Sequence, residues 1–136
     1  MRTYIIGALL IFAGAAKAQD ISTSKLLWTI NKAQSQTDSV QFDYACSFTT
    51  NPNSTLDWSQ NNGQFILHFT VISVDGQWPD VSKDGVVTYN VQNGKISGTI
   101  QFQRSASVVK VHLQLAVSGD PDQDYVFSVS TVSSAN

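Results

Sequence analysis

The sequence predicts an all-β fold, an antiparallel two-sheet β-sandwich of about eight strands with immunoglobulin-like or jelly-roll-like topology. Apolar and polar residues alternate with a period of two wherever apolar residues gather, as expected for strands with one buried face. All ten acidic residues are aspartates, which favour turns over helices. Eight short strands at this spacing also suit an eight-stranded antiparallel β-barrel, which is the alternative architecture.

Residues 1–18 have the features of a signal peptide. A positive start precedes an apolar stretch over residues 4–13 that is too short to span a bilayer, and residues 16–18 supply small side chains where a signal peptidase reads them. We expect cleavage between Ala18 and Gln19, and a secreted or periplasmic chain. The remaining residues, 19–136, have the length of a single domain.

The composition of this predicted domain argues against two classes of partner. The formal charge of −2 includes Arg2 and Lys17, so it becomes −4 without them, and the remaining charges are scattered. A nucleic-acid binder would normally show a basic patch, and this sequence has none. No later segment approaches the roughly 20 apolar residues of a membrane helix, so we expect no membrane insertion.

Eight segments fit the strand pattern, and turn signals separate several of them. The pair Asn93-Gly94 lies between two alternating runs and predicts a tight turn with positive φ. The sequences NNG at 61–63 and RSAS at 104–107 predict two more short connections. The candidate strands are residues 25–30, 39–49, 55–60, 64–74, 86–92, 95–103, 108–117 and 125–132.

The strand at 39–49 contains the single cysteine of the chain. Its apolar face consists of Val40, Phe42, Tyr44, Cys46 and Phe48. We therefore expect Cys46 to lie in the core as an inert thiol, since apolar surroundings disfavour the thiolate and no second cysteine can pair with it.

The strand at 64–74 is apolar on both faces. Phe65, Leu67, Phe69 and Val71 share one face, while Ile66, Ile72 and Val74 share the other. We expect both faces to be covered inside the protein, either in a central strand or at a corner between two sheets. A partner surface is the alternative explanation.

No motif predicts a metal site, a cofactor or catalysis. His68 and His112 lie on different strands without metal-ligand spacing, so we expect structural or solvated roles. Asp120, Asp122 and Asp124 alternate within a turn and are a weak candidate for calcium, but the loop lacks the glycine and glutamate of the twelve-residue pattern. We expect a protein that is not an enzyme.

Two tryptophans are the best candidates for a binding site. Trp58 follows Leu56 on a short strand next to an Asn-rich turn, and Trp78 precedes a proline within a long polar loop. Exposed aromatic rings near Asn and Asp side chains suit a sugar ring or a protein partner. The competing interpretation is that each ring covers one end of the core. Asn53 in the sequence Asn53-Ser54-Thr55 fits the glycosylation pattern.

These features favour a secreted, non-catalytic binding or adhesion module. Its loops at 50–54, 75–85 and 118–124 would recognise a glycan or an extracellular protein. One alternative is a lipocalin-like carrier of a small apolar ligand, with strand 64–74 lining a cavity. Another is a structural subunit of a surface assembly that exchanges an edge strand through its N-terminal segment.

Overall fold

In the computed structural model, which describes residues 19–52 and 54–135, the chain forms a closed antiparallel β-barrel. Each strand pairs with its neighbours in sequence, and the last strand returns to pair with the first. The eight strands of this described part are β1 (Leu26–Ser35), β2 (Gln41–Thr50), β3 (Thr55–Gln60), β4 (Phe65–Asp75), β5 (Gly85–Asn93), β6 (Ile96–Ser105), β7 (Val108–Val117) and β8 (Gln123–Ser134).

The barrel confirms the all-β class and the eight antiparallel strands, but the predicted two-sheet sandwich is wrong. β1 pairs with β8 from Leu26 to Ser35, so the sheet closes on itself instead of ending at two edges. The alternative architecture, the eight-stranded barrel, is the observed one. The predicted signal peptide at 1–18 lies outside the described residues. Within the described part, no helix is long and apolar enough to cross a membrane.

β1 continues beyond its predicted end at residue 30, and it contains a β-bulge at that point. The register with both neighbouring strands shifts between Ile30 and Lys32, so that Ile30 and Ala33 both lie buried inside the barrel. An inserted residue of this kind breaks the period-two alternation while the strand continues. The polar sequence after Ile30 therefore continues the strand as far as Ser35.

Aromatic side chains fill the barrel interior. The Trp28 ring centroid lies 4.8 Å from that of Phe102 and 5.7 Å from that of Trp78. Phe48 stacks on Trp58 with an interplanar angle of 11°. An eight-stranded barrel is just wide enough for side chains to fill it, so these rings leave no continuous channel along its axis.

One end of the barrel, here called the closed end, is covered by the N-terminal segment and the β4–β5 loop. The Trp78 indole N–H donates to the Lys83 carbonyl at 2.8 Å, and the Ile21 amide donates to the Trp78 carbonyl at 3.3 Å. Gly85 permits this packing, because a Cβ there would lie 2.2 Å from the Trp78 ring. Trp78 therefore seals the core at the closed end.

The second apolar face of β4 is not covered as predicted. Ile66 and Ile72 are exposed on the outer surface. A register shift between Val71 and Ser73 returns Val74 to the inner side, where it pairs with Tyr89 of β5. The expectation of a strand buried on both faces is therefore wrong, and a bulge explains part of the apparent two-sided pattern.

Candidate functional site

The opposite end of the barrel, here called the open end, contains a cavity of about 250 Å³. Five aromatic side chains and two glutamines line it, and we call this cavity the aromatic cup. Its lining residues are Phe42, Tyr44, Trp58, Gln60, Gln123, Tyr125 and Phe127.

Strand register brings the cup residues together. Phe42 near the start of β2 and Phe127 near the start of β8 lie on either side of Ala33, which pairs with both. On β2, Tyr44 is the next inward-facing residue after Phe42 and lies closer to the core. On β8, Tyr125 is the inward-facing residue before Phe127 and lies closer to the rim. The small Ala33 side chain lets the flanking aromatic rings approach across β1.

The rings of the cup form a contiguous aromatic wall. The ring centroids of Tyr44 and Tyr125 each lie 6.1 Å from that of Phe127, with interplanar angles of 27° and 26° respectively. Phe42 lies nearly perpendicular to Tyr125, at 86° and 6.5 Å. Trp58 meets Phe127 at 61° and 5.8 Å. These edge and offset contacts are favourable arrangements for aromatic pairs, so the wall is a well-packed surface.

The polar groups of the cup are neutral. The Tyr44 hydroxyl donates to Gln60 Oε1 at 2.6 Å. Burial raises the pKa of Tyr44 above its ordinary value, so the hydroxyl stays protonated at neutral pH. The described lining residues include neither an acid nor a base, and the cup therefore presents apolar ring surface with a few amide and phenol groups.

The indole N–H of Trp58 is a buried donor without a partner. Among the described residues, it is the one buried side-chain nitrogen or oxygen that makes no hydrogen bond. The Cys46 thiol lies near this indole, which lowers the thiol pKa and so offsets part of the rise caused by burial. A thiol is nevertheless a weak hydrogen-bond acceptor. An unpaired buried donor costs about 1–3 kcal/mol, which the packing around Trp58 has to offset.

The two tryptophans predicted as a binding pair lie at opposite ends of the barrel. Trp58 lines the aromatic cup at the open end and is 6% exposed. Trp78 covers the core at the closed end and is 2% exposed. Both rings pack against core aromatics, which agrees with the competing interpretation that each ring covers one end of the core. The predicted role in ligand binding stays a prediction for both residues.

The other sequence candidates do not assemble into a site. Cys46 is buried as predicted, and burial raises the pKa of its thiol to about 11. His68 and His112 each contact one aspartate, Asp57 and Asp124 respectively, at 2.7 Å.

Among the described residues, no group of three histidine, cysteine or acidic side chains is placed to hold a metal ion. Of the three alternating aspartates in the 119–124 turn, Asp124 bonds to a histidine. The Asn53 glycosylation candidate lies outside the described residues.

The sequence pattern does not predict most of the cup. Alternation places Phe42 in the core because it shares the apolar face of its strand, yet Phe42 is 40% exposed at the barrel rim. Gln60 and Gln123 are inward-facing polar residues at strand ends, a departure from the pattern that marks a wet cavity. Inward aromatic residues within two or three positions of a loop were the available signal.

No family model, curated protein or solved structure matches this chain. The fold and the cup define its class by geometry alone: a small up-and-down barrel with a filled interior, one sealed end and one aromatic end.

Proposed function

We propose that this is an exported, non-catalytic binding protein that holds one small, neutral, largely apolar ligand in the aromatic cup. The observation that carries the proposal is the uncharged aromatic lining at one open end of an otherwise filled barrel. Ligand sites are typically concave and apolar, with a few polar groups that fix orientation. Gln60 and Gln123 supply such groups at the rim.

The chemistry of the lining favours a neutral ligand. An anion entering the cup would lose hydration without gaining an opposite charge, and a strongly hydrated primary ammonium would find no carboxylate to replace its water. The volume of about 250 Å³ lies below the roughly 300–1,000 Å³ of pockets for drug-sized ligands, so one or two rings are the expected size. The lining offers amides and phenols, with no carboxylate or imidazole for acid–base catalysis.

Recognition of a glycan or protein by the loops is the less supported hypothesis. It relied on exposed tryptophans, and Trp78 in the 75–85 loop is buried against Trp28. The cup instead favours the carrier hypothesis.

Native mass spectrometry of protein purified from its own producer tests for a retained small molecule, and a retained oligosaccharide or protein mass would contradict the proposal.

A rim substitution tests the cup itself. Phe42→Ala should weaken binding of a neutral one-ring probe, p-cresol, by about tenfold in calorimetric titration, because it removes part of the aromatic wall. Stability should change little, since Phe42 is already 40% exposed. Phe65→Ala is the matched control, because Phe65 is an exposed rim phenylalanine that does not line the cup. Equal losses in both variants, or no saturable binding of p-cresol, would refute the proposal.

A further inference from the structure

A second cavity, of about 340 Å³, lies at the closed end between the N-terminal turn and the β4–β5 loop. We call it the basal cleft. Its apolar walls include Val74, Val87 and Pro79, and its polar lining residues are Asp20, Ser22, Gln77 and Tyr89. The basal cleft is separate from the aromatic cup, because the two cavities have no lining residue in common.

Tyr89 brings an unpaired hydroxyl to the basal cleft. The residue is 3% exposed, and its hydroxyl makes no hydrogen bond to any described residue. Its ring is fixed edge-on against Phe102 at 5.6 Å. Burial and the nearby Asp20 charge raise the pKa of Tyr89, so the hydroxyl remains protonated. Although the ring is buried, the hydroxyl lies at the surface of the cleft, where it can donate to or accept from a ligand.

Asp20 has one carboxylate oxygen in use and one free of described partners. Its Oδ1 accepts from the Ser22 amide at 2.9 Å and from the Ser22 hydroxyl at 2.7 Å. These two bonds fix the carboxylate at the cleft. Oδ2 makes no hydrogen bond to the described residues, and it therefore remains available as an acceptor beside the apolar wall.

We propose that the basal cleft binds a small protonated amine with a short alkyl chain. The ammonium group donates to Asp20 Oδ2 and to the Tyr89 hydroxyl oxygen, while the chain packs on Val74 and Val87. A charge-assisted bond to the carboxylate supplies orientation, and the apolar walls supply burial. This site is independent of the proposed function of the cup.

A matched series of probes tests the charge requirement. Butylammonium, 1-butanol and butyrate share the same alkyl chain and differ in charge. In amide- and indole-detected NMR, butylammonium should shift the Trp78 indole N–H and the Ile21 amide saturably, and leave the Trp58 indole at the open end unchanged. Butanol should bind at least about fivefold more weakly, since it lacks the charge-assisted bond, and butyrate should not bind. Equal shifts by all three probes would overturn the proposal.

Two variants test the named groups. Asp20→Asn keeps an oxygen acceptor for Ser22 but removes the charge, and it should weaken butylammonium binding about tenfold. The control Asp43→Asn removes an equally negative but highly exposed carboxylate from β2 and should leave binding unchanged. Tyr89→Phe should weaken binding without lowering the melting temperature, because its hydroxyl has no described partner to lose. Unchanged binding in Asp20→Asn, or a destabilised Tyr89→Phe, would contradict the assignment.

Discussion

The three tryptophans permit a test of the unpaired indole at the cup. Replacing each by phenylalanine removes an N–H and part of a ring, and the loss of ring burial costs about 1 kcal/mol. For Trp58 the change also removes an unpaired buried donor, which relieves about 1–3 kcal/mol. The free energy of unfolding of Trp58→Phe should therefore lie within about 1 kcal/mol of the wild-type value, or slightly above it.

Trp28 is the matched control for this comparison. Its indole N–H donates to Thr50 Oγ1 at 3.1 Å, and both residues are buried. Trp28→Phe leaves Thr50 without that bond, so its cost should reach about 2–4 kcal/mol. Trp78→Phe should fall between the two, since the Lys83 carbonyl that it releases belongs to an exposed residue and can bond to water.

Urea unfolding followed by far-ultraviolet circular dichroism measures these differences without depending on tryptophan fluorescence. A loss for Trp58→Phe as large as that for Trp28→Phe would refute the reasoning. It would mean that the Trp58 N–H is effectively paired in the folded protein.

Two further predictions concern the barrel itself. The Cys46 thiol has a pKa raised from 9.0 to about 11 by burial, so its contribution to stability is fully present below pH 9 and is lost as the pH rises to about 11. Denaturation at pH 8 and pH 10 should show this decline, and Cys46→Ala should reduce it. Gly98→Ala should destabilise the protein by more than about 3 kcal/mol, because its Cβ would lie 2.0 Å from the Gln114 carbonyl oxygen at a φ of 155°. Gly94→Ala, with open space around it, should cost about 1 kcal/mol in the same unfolding assay, and equal costs would contradict the steric argument.

The sequence was sufficient to predict the strands but not their closure. Alternation is a local property, and it is the same whether a buried face lies in a sandwich or in a barrel. Closure depends on β1 pairing with β8, whose partner residues lie 90 to 108 positions away in the chain (Ser35 with Tyr125, Leu26 with Ser134). The polar second half of β1 forms much of that pairing. The sequence does not predict this half as strand, because the bulge after Ile30 breaks the period-two alternation.

The candidate site was predicted only in part for a related reason. Alternation tells which face of a strand points inward, but not how far along the barrel axis a residue lies. Phe42 and Phe48 share one face, yet Phe42 is at the rim and Phe48 is fully buried. Trp58 was recognised by its residue type, whereas the aromatic partners on β2 and β8 become its neighbours only through the barrel.

The contrast between the two ends supports the choice of the cup over the tryptophan loop as the principal site. At the closed end, Trp78 is held by its own indole bond and by the Ile21 amide, and Arg104 donates to the Val81 carbonyl at 2.9 Å in the same loop. Moving that ring to meet a ligand would break these bonds and uncover Trp28. At the open end, the cup needs no such movement, because its rim is already exposed at Phe42 and its lining is already assembled. A ligand that binds there adds contacts without removing any that stabilise the fold.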